Sequence, residues 1–197
     1  SCDLIAEDTQ NPQAMLGHIR SIRGVTERAS ALTRQLLVFS REQIMTSRII
    51  DLNTLIRDLE LMLVRLIGEN IQVILNLADD LKNVCGDPSQ IEQVILNLLT
   101  NAVKYSPNAG TVHVTLETTA DTAIIRVRDE GIGITPEQQK MVFDKFYRAE
   151  GQHSISGLGL GLYLSKEIVD RHNGNLQVHS VQGEGTEFIL SLPRKQN

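Results

Sequence analysis

One predicted helix carries side chains that could bind a metal ion and a phosphate group together. In the segment 97–105, Asn97, Asn101 and Tyr105 recur every four residues and share one helical face, with Lys104 displaced toward the next. Carboxamide oxygens are hard ligands that suit Mg²⁺, and a lysine ammonium suits phosphate as a point charge. Spacing alone favours a simpler interpretation, in which the two asparagines are solvated positions of a surface helix.

Three glycine-containing segments could approach a ligand closely. Asp129 follows a predicted strand and precedes Gly131 and Gly133, so its carboxylate could accept a hydrogen bond from the exocyclic amine of a base. The segment 156–162 runs into a predicted helix, whose free N–H groups and dipole favour phosphate. This segment matches neither the P-loop nor the dinucleotide-binding pattern. Taken singly, 129–133 and 183–186 are more typical of ordinary turns.

Composition and charge exclude several classes of protein. The 197 residues include 19 Lys and Arg against 24 Asp and Glu, and the net charge of -5 argues against a basic nucleic-acid-binding surface. The chain has neither a run of about 18 apolar residues nor a signal-peptide pattern, so we expect it to make no direct membrane contact. Cys2 and Cys85 lack metal-binding spacing and are typical of reduced, structural cysteines.

The pattern of apolar residues divides the chain into two unequal parts. From Met15 to Phe39 apolar residues recur in alternating steps of three and four, which predicts one long helix with a narrow apolar seam. Such a seam must pack against other helices, and residues 1–8 could end a preceding helix of a hairpin. After Arg41 the pattern changes to short strands and amphipathic helices, so we expect the boundary around 42–48.

The second part predicts an α+β sandwich in which one mixed sheet carries helices on a single face. Asp87-Pro88-Ser89-Gln90 indicates a helix cap, a first-turn proline and a capping-box glutamine, and Thr135-Pro136-Glu137-Gln138 repeats this arrangement. Asn173-Gly174 can end a helix. The predicted strands are 48–52, 71–77, 111–117, 122–129, 176–181 and 186–192, and the predicted helices are 53–66, 87–105, 135–143 and 160–172.

The order and spacing of these motifs resemble the ATP-binding catalytic domain of sensor histidine kinases, a branch of the fold class shared with gyrase, Hsp90 and MutL. The matching segments are 97–105 (N box), 129–133 (DxGxG box), 143–148 (F box), and the glycine boxes at 157–161 and at 183–186 with Phe188. The resemblance extends from Asp51 to Pro193 and implies a two-layer α/β sandwich of the Bergerat type.

The long N-terminal helix fits the same resemblance. It implies that residues 1–47 are part of a dimerisation and histidine-phosphotransfer hairpin and that residues 48–197 are the ATP-binding catalytic domain. The apolar seam would then be the inner face of a four-helix bundle formed by two protomers. The family's phosphoacceptor box, a His followed by Glu or Asp, has no counterpart in this sequence, so we expect the acceptor helix to be missing from this chain. His18 fits a seam position instead.

The resemblance implies a role for each matching position. Asn101, supported by Asn97, would bind Mg²⁺, and Asp129 would hold the adenine amino group while Gly131 and Gly133 let the ring approach. Asn97, Lys104 and Arg148 would serve catalysis, with Arg148 neutralising the γ-phosphate. The implied nucleotide contacts are Asn101, Lys104, Tyr105, Asp129, Gly131, Gly133, Ile134, Phe146, Arg148, Gly157, Leu158, Gly159, Leu160, Gly161 and Thr186, and Ala149–Ser156 would form a mobile lid.

The activity implied by the resemblance is transfer of the γ-phosphoryl group of Mg-ATP to the histidine of the acceptor helix, which we expect to be missing from this chain. Relay to an aspartate of a response-regulator receiver domain would follow. It further implies ATP and Mg²⁺ as cofactors, a homodimer formed through the N-terminal helices, and a cytoplasmic location, whether or not a longer parent protein is anchored in a membrane. Two alternatives stay open: an ATP-binding regulatory module without kinase activity, and an ATP-driven clamp. The missing acceptor box favours the regulatory module, and the intact N box and glycine boxes oppose it.

Overall fold

The computed structural model describes residues 46–67, 71–78, 84–106, 110–148 and 158–194. The chain divides into two units, Ser1–Ile44 and Met45–Asn197, and all described residues belong to the second. The helix predicted from Met15 to Phe39, the predicted lid at 149–156 and Gly157 lie outside the described residues. The division of roles between residues 1–47 and 48–197 therefore stays a prediction.

The described elements alternate between strands and helices along the chain. In order they are β1 (Arg48–Ile50), α1 (Leu52–Ile67), β2 (Gln72–Leu77), β3 (Val84–Gly86), α2 (Pro88–Lys104), β4 (Thr111–Thr118), β5 (Thr122–Asp129), α3 (Pro136–Gln139), α4 (Gly161–Arg171), β6 (Asn175–Val181) and β7 (Gly185–Pro193). No helix within this described part is long and apolar enough to cross a membrane.

A mixed sheet of five strands forms one layer, in the order β2-β4-β5-β7-β6. β2 runs parallel to β4, and the other neighbours are antiparallel. The predicted mixed sheet is confirmed. A second, two-stranded sheet pairs β1 with β3, and the sequence analysis predicted neither this sheet nor β3. β1 was predicted as part of a longer strand, 48–52, whereas β3 has only three residues, too few to show a period of two.

Alternation along the strands builds the core between the sheet and the helices. In β4 and β5 every second residue is buried, and Val114 lies opposite Val127 in the register that places both side chains on the same face. The apolar faces of α1, α2 and α4 cover this side of the sheet. The fully buried large side chains are Leu52, Ile56, Val84, Ile91, Ile95, Leu98, Leu99, Leu116, Ile125, Leu190 and Leu192.

The first turn of α2 is capped as predicted, but without the capping box. The Asp87 carboxylate accepts hydrogen bonds from the backbone N–H groups of Ser89 and Gln90. The Asp87 N–H, which Gln90 would have to bind in a capping box, instead donates to Nε2 of His172 at 3.0 Å. The side-chain oxygen of Gln90 is buried and has no hydrogen-bond partner among the described residues. A contact across 85 positions thus replaces the local one.

At α3 the capping box forms but the helix is shorter than predicted. Thr135 and Gln138 exchange both bonds of the box, Thr135 N to Gln138 Oε1 at 2.9 Å and Gln138 N to Thr135 Oγ1 at 3.3 Å. The helix ends at Gln139 rather than near Phe143, because the following residues turn through bonds three positions apart, as in Asp144 N to Met141 O. The helix α4 ends as predicted, with Asn173 in the left-handed region at φ 53°.

Candidate functional site

A pocket lies where the loop after β5 meets the end of α2 and the start of α4. It brings together residues from the N box, the DxGxG box, the F box and the last glycine box with Phe188. Its lining residues are Asn101, Tyr105, Asp129, Ile132, Gly133, Ile134, Gln138, Val142, Tyr147, Arg148, Leu162, Thr186 and Phe188. Seven of these were predicted as site residues: Asn101, Tyr105, Asp129, Gly133, Ile134, Arg148 and Thr186.

Asp129 is the buried acceptor of the pocket, with only 3% of its surface exposed. Its Oδ1 accepts hydrogen bonds from the backbone N–H groups of Gly131 at 2.9 Å and Thr186 at 3.2 Å. Both bonds reach the same oxygen, so Oδ2 is the atom that a ligand in the pocket can use. Burial raises the pKa of Asp129, and the two backbone hydrogen bonds oppose that shift. The carboxylate is therefore held in one orientation by the main chain.

The loop that follows Asp129 is fixed from two sides. Ile132 donates its N–H to the carbonyl of Tyr105 at 3.1 Å, and the Ile132 carbonyl accepts from Gly183 at 2.8 Å. Gly133 has a φ of 62°, and a Cβ there would lie 2.1 Å from the carbonyl oxygen of Val181. The resemblance implies that this glycine lets a ring approach, but the geometry requires a glycine for a different reason, the close passage of another backbone segment.

The pocket lining also has a cationic part. Arg148 and Asn101 line it, and Nζ of Lys104 lies 5.1 Å from the ring centroid of Tyr105. Burial, and next the charge of Arg148, lower the pKa of Lys104. Burial raises the pKa of Tyr105, against the opposing effect of Arg148. Two cations close enough that the charge of Arg148 lowers the pKa of Lys104 favour an anion between them.

Apolar side chains form the remaining walls of the pocket. Val142, Leu162 and Phe188 join Ile132 and Ile134 there, and Gln138 and Tyr147 complete the lining. Apart from Ile134, none of these residues was predicted to contact the ligand. A signal for Phe188 existed, since the period of two along a strand places it on the same face as Thr186. Val142 and Leu162 reach the pocket only through the packing of α4 against the turns after α3.

Several predicted site residues lie outside this pocket lining. Phe146 is 68% exposed, and its contact with the glycine segment is a backbone bond, Phe146 N to Gly159 O at 3.0 Å. Leu158 is also exposed, whereas Leu160 is buried. Asn97 and Gly161 lie against each other. Lys104 is half-buried on α2. Gly131 donates its N–H to the carboxylate of Asp129. The ligand contacts predicted for these residues stay predictions.

The chemistry of the lining suits a nucleotide bound with a divalent cation. A buried acceptor, apolar walls and cations match an amino-substituted base, its flat ring and a phosphate chain. The described residues contain no cluster of three or more His, Cys, Asp or Glu that could hold a metal ion. The carboxamides of Asn97 and Asn101 would therefore bind Mg²⁺ only together with phosphate oxygens, which is the usual mode for this ion.

Comparisons with known proteins agree with this chemistry. Residues 86–196 match the family described as histidine kinase-, DNA gyrase B-, and HSP90-like ATPase. Sporulation kinase E of Bacillus subtilis is 30% identical over 211 aligned positions, covering 98% of this chain and 28% of that protein. Sensor histidine kinase RppB of Synechocystis is 38% identical over 173 positions, covering 84% of this chain and 38% of that protein.

A solved structure of histidine kinase ThkA in complex with response regulator protein TrrA is also similar. The TM-score is 0.74 with 25% identity, covering 94% of this chain and 53% of that chain. The chain spans only 28% and 38% of the lengths of the two curated relatives.

Proposed function

The chain belongs to the histidine kinase-, DNA gyrase B- and HSP90-like ATPase family, and we propose that it works as a protein histidine kinase. Its described domain is the ATP-binding catalytic core of the histidine kinase type. The proposed reaction moves the γ-phosphoryl group of Mg-ATP to a histidine and then to an aspartate of a response-regulator receiver domain. The observation that carries this proposal is that Asp129 and Arg148 line the same pocket.

The part of the pocket around Asp129 and Thr186, which we call the base end, would bind adenine. Oδ2 of Asp129 would accept a hydrogen bond from the exocyclic amine, and the apolar walls at Ile134, Leu162 and Phe188 would enclose the ring. Thr186 supports this end twice, since its N–H binds Asp129 and its hydroxyl lies 3.0 Å from that of Ser180. A guanine would place a carbonyl where Asp129 needs a donor, so we expect ATP to be preferred over GTP.

The part of the site around Asn101, Lys104 and Arg148, which we call the phosphate end, would position the triphosphate for transfer. Phosphoryl transfer passes through a loose transition state, so the protein acts mainly through alignment and charge compensation. Arg148 and Lys104 would compensate the charge on the phosphate oxygens, and Tyr105 would contact the phosphate chain. Asn101, with Asn97, would supply carboxamide oxygens to Mg²⁺, an ion that when bound neutralises charge that develops on the phosphates.

The acceptor histidine is proposed to lie outside the described residues. His172 is 4% exposed, accepts from Asp87 through Nε2, and has Nδ1 within 2.8 Å of the Ile168 carbonyl. It is a structural link between α2 and α4 and is unsuited to attack phosphorus. His113 and His179 lie on β4 and β6, and neither lines the pocket. We therefore propose an acceptor on a dimerisation helix.

The partners follow from the same proposal. The similar structure of ThkA contains a response regulator, and a receiver domain is the partner that a phosphohistidine would require.

We propose a homodimer formed through the N-terminal helices, because an apolar seam on one helix requires a partner helix. The proposed location is the cytoplasm, where ATP and receiver domains are present.

Two linked measurements test the proposal. The first is calorimetric titration of the chain with Mg²⁺ and a non-hydrolysable ATP analogue. The second is incubation with γ-labelled ATP and a fragment that carries a dimerisation helix with a His-Glu box, with a His→Gln version of the fragment as control. Binding with label on the histidine supports the kinase. Binding without transfer would replace it by an ATP-binding regulatory module, and the lack of any binding would overturn the nucleotide site as well.

A further inference from the structure

Asn97 has a hydrogen-bond partner that lies in a different helix. Its Nδ2 donates to Oγ of Ser165 on α4 at 3.0 Å. The Ser165 side chain is only 2% exposed, so this hydroxyl is unavailable to solvent. A buried bond of this kind restricts the movement of the side-chain amide. A hydroxyl can accept from an amide NH₂ or donate to an amide oxygen, so the orientation of the amide also depends on its other contact.

The oxygen of the same amide lies against the first residue of α4. A Cβ placed on Gly161 would lie 2.4 Å from Oδ1 of Asn97 and 3.1 Å from its Nδ2. The carboxamide therefore extends along α4, with its oxygen at the start of the helix and its nitrogen one turn further, at Ser165. The first turn of a helix offers free N–H groups and a positive dipole end, which attract phosphate.

We propose that Ser165 is a positioning residue that holds the Asn97 oxygen toward the Mg²⁺–phosphate group. This inference rests on the proposed function, because it needs a nucleotide and its metal ion in the pocket. With Nδ2 at Ser165 and Oδ1 at the start of α4, where free N–H groups favour an oxygen, the oxygen of Asn97 would face the ion, and an oxygen is the ligand that Mg²⁺ requires. The same bond links α2, which carries Asn97 and Asn101, to α4.

Without the Ser165 hydroxyl, the Asn97 amide would lose the contact that holds its nitrogen at the second turn of α4. The amide group could then present NH₂ to the cation in part of the molecules, which repels a metal ion. Residues that orient a metal ligand in this way affect metal affinity more than they affect folding. Ser165 would thus act on the metal only through Asn97, and it would not touch the nucleotide.

The test is a Mg²⁺ titration of the whole 197-residue chain at a fixed concentration of a non-hydrolysable ATP analogue. We expect Ser165→Ala to raise the Mg²⁺ concentration at half-saturation by about three- to tenfold, as expected for loss of one hydrogen bond that orients a ligand. In EDTA, the affinity of the analogue should be the same for both proteins. Ser165→Thr keeps the hydroxyl and should restore most of the Mg²⁺ response.

A double-variant comparison separates positioning from a general structural role. In an Asn97→Ala background, Ser165→Ala should change the Mg²⁺ response no further, because the group through which Ser165 acts is gone. Ser106→Ala is a matched control, since Ser106 is 4% exposed and its hydroxyl has no hydrogen-bond partner among the described residues. It should leave the Mg²⁺ response unchanged.

The outcomes distinguish the inference from the proposed function. If the wild-type chain binds the analogue and Ser165→Ala lowers only the melting temperature, the positioning role is wrong and the nucleotide site stands. An additive effect of the two substitutions would also overturn it. If the wild-type chain binds no nucleotide, the proposed function itself fails.

Discussion

The two ends of the pocket are built in different ways. At the base end, Asp129 and Thr186 are buried, and backbone N–H groups fix the carboxylate before any ligand arrives. At the phosphate end, Arg148 is exposed and Lys104 is only half-buried, so the charged groups are accessible to water. A fixed, desolvated acceptor selects one ligand strongly, whereas exposed cations attract any phosphate and are screened by salt.

This difference assigns separate duties to the two ends. We expect the base end to determine which nucleotide binds and to contribute most of the binding affinity. The phosphate end should decide how the bound nucleotide responds to Mg²⁺ and pH. Substitutions at the two ends therefore ought to change different measured quantities, which makes the comparison testable.

The largest effect is expected at Asp129. Asp129→Asn should weaken binding of a non-hydrolysable ATP analogue by about 100-fold or more, because an amide NH₂ can face the adenine amine or the two backbone donors, and either pairing is repulsive. Calorimetry at neutral pH measures the change, with thermal unfolding to confirm that the variant is folded. Asp121→Asn, in the turn between β4 and β5, is the control. Equal affinity in both variants would remove Asp129 from the site.

A smaller and more selective effect is expected at Arg148. Arg148→Ala should weaken binding of the ATP analogue by about tenfold, because one charge-assisted contact with phosphate is lost at an exposed position. Binding of adenosine, which has no phosphate, should not change. Arg148→Lys should bind the ATP analogue with an affinity between those of the wild type and Arg148→Ala. A parallel loss of adenosine affinity would show that Arg148 supports the base end instead.

The pH dependence of binding tests Lys104. Burial and the charge of Arg148 lower its pKa, so the ammonium loses its proton at a lower pH than an exposed lysine, whose pKa is about 10.4. Only the cation attracts phosphate, so affinity for the ATP analogue should fall as the pH rises through the alkaline range, and the fall should begin at a lower pH than it would for an exposed lysine. Lys104→Arg, which stays charged throughout, should give a flat profile. A wild-type profile equally flat would contradict the assignment.

The smallest effect is expected at Phe146. Its side chain is 68% exposed and lies outside the pocket lining, so Phe146→Ala should keep the affinity for the ATP analogue within about twofold. Leu162→Ala provides the contrast, because Leu162 is part of the apolar wall and its truncation should weaken binding several-fold. If Phe146→Ala proves the more harmful of the two, the pocket has a different wall when nucleotide is bound.

Much of the fold was predictable because its signals are local. The Asp87-Pro88 and Thr135-Pro136 starts of α2 and α3 were both predicted, and so was the alternation of β4 and β5. Each of these signals lies within a few residues, where capping geometry and side-chain periodicity act directly. The capping box at Gln90 was not formed because its partner N–H had already been taken by His172, a contact that no local pattern contains.

The sequence by itself determined which groups could do the chemistry. These are the carboxylate of Asp129 at the end of β5, the asparagines Asn97 and Asn101 on one face of α2, and the glycine segment that leads into α4. Only the tertiary structure decided how these groups are held. Thr186 reaches Asp129 across 57 positions, and Ser165 reaches Asn97 across 68. Residue types and periodicity are set by near neighbours, whereas the orientation of a buried side chain depends on packing between elements that are distant in the chain.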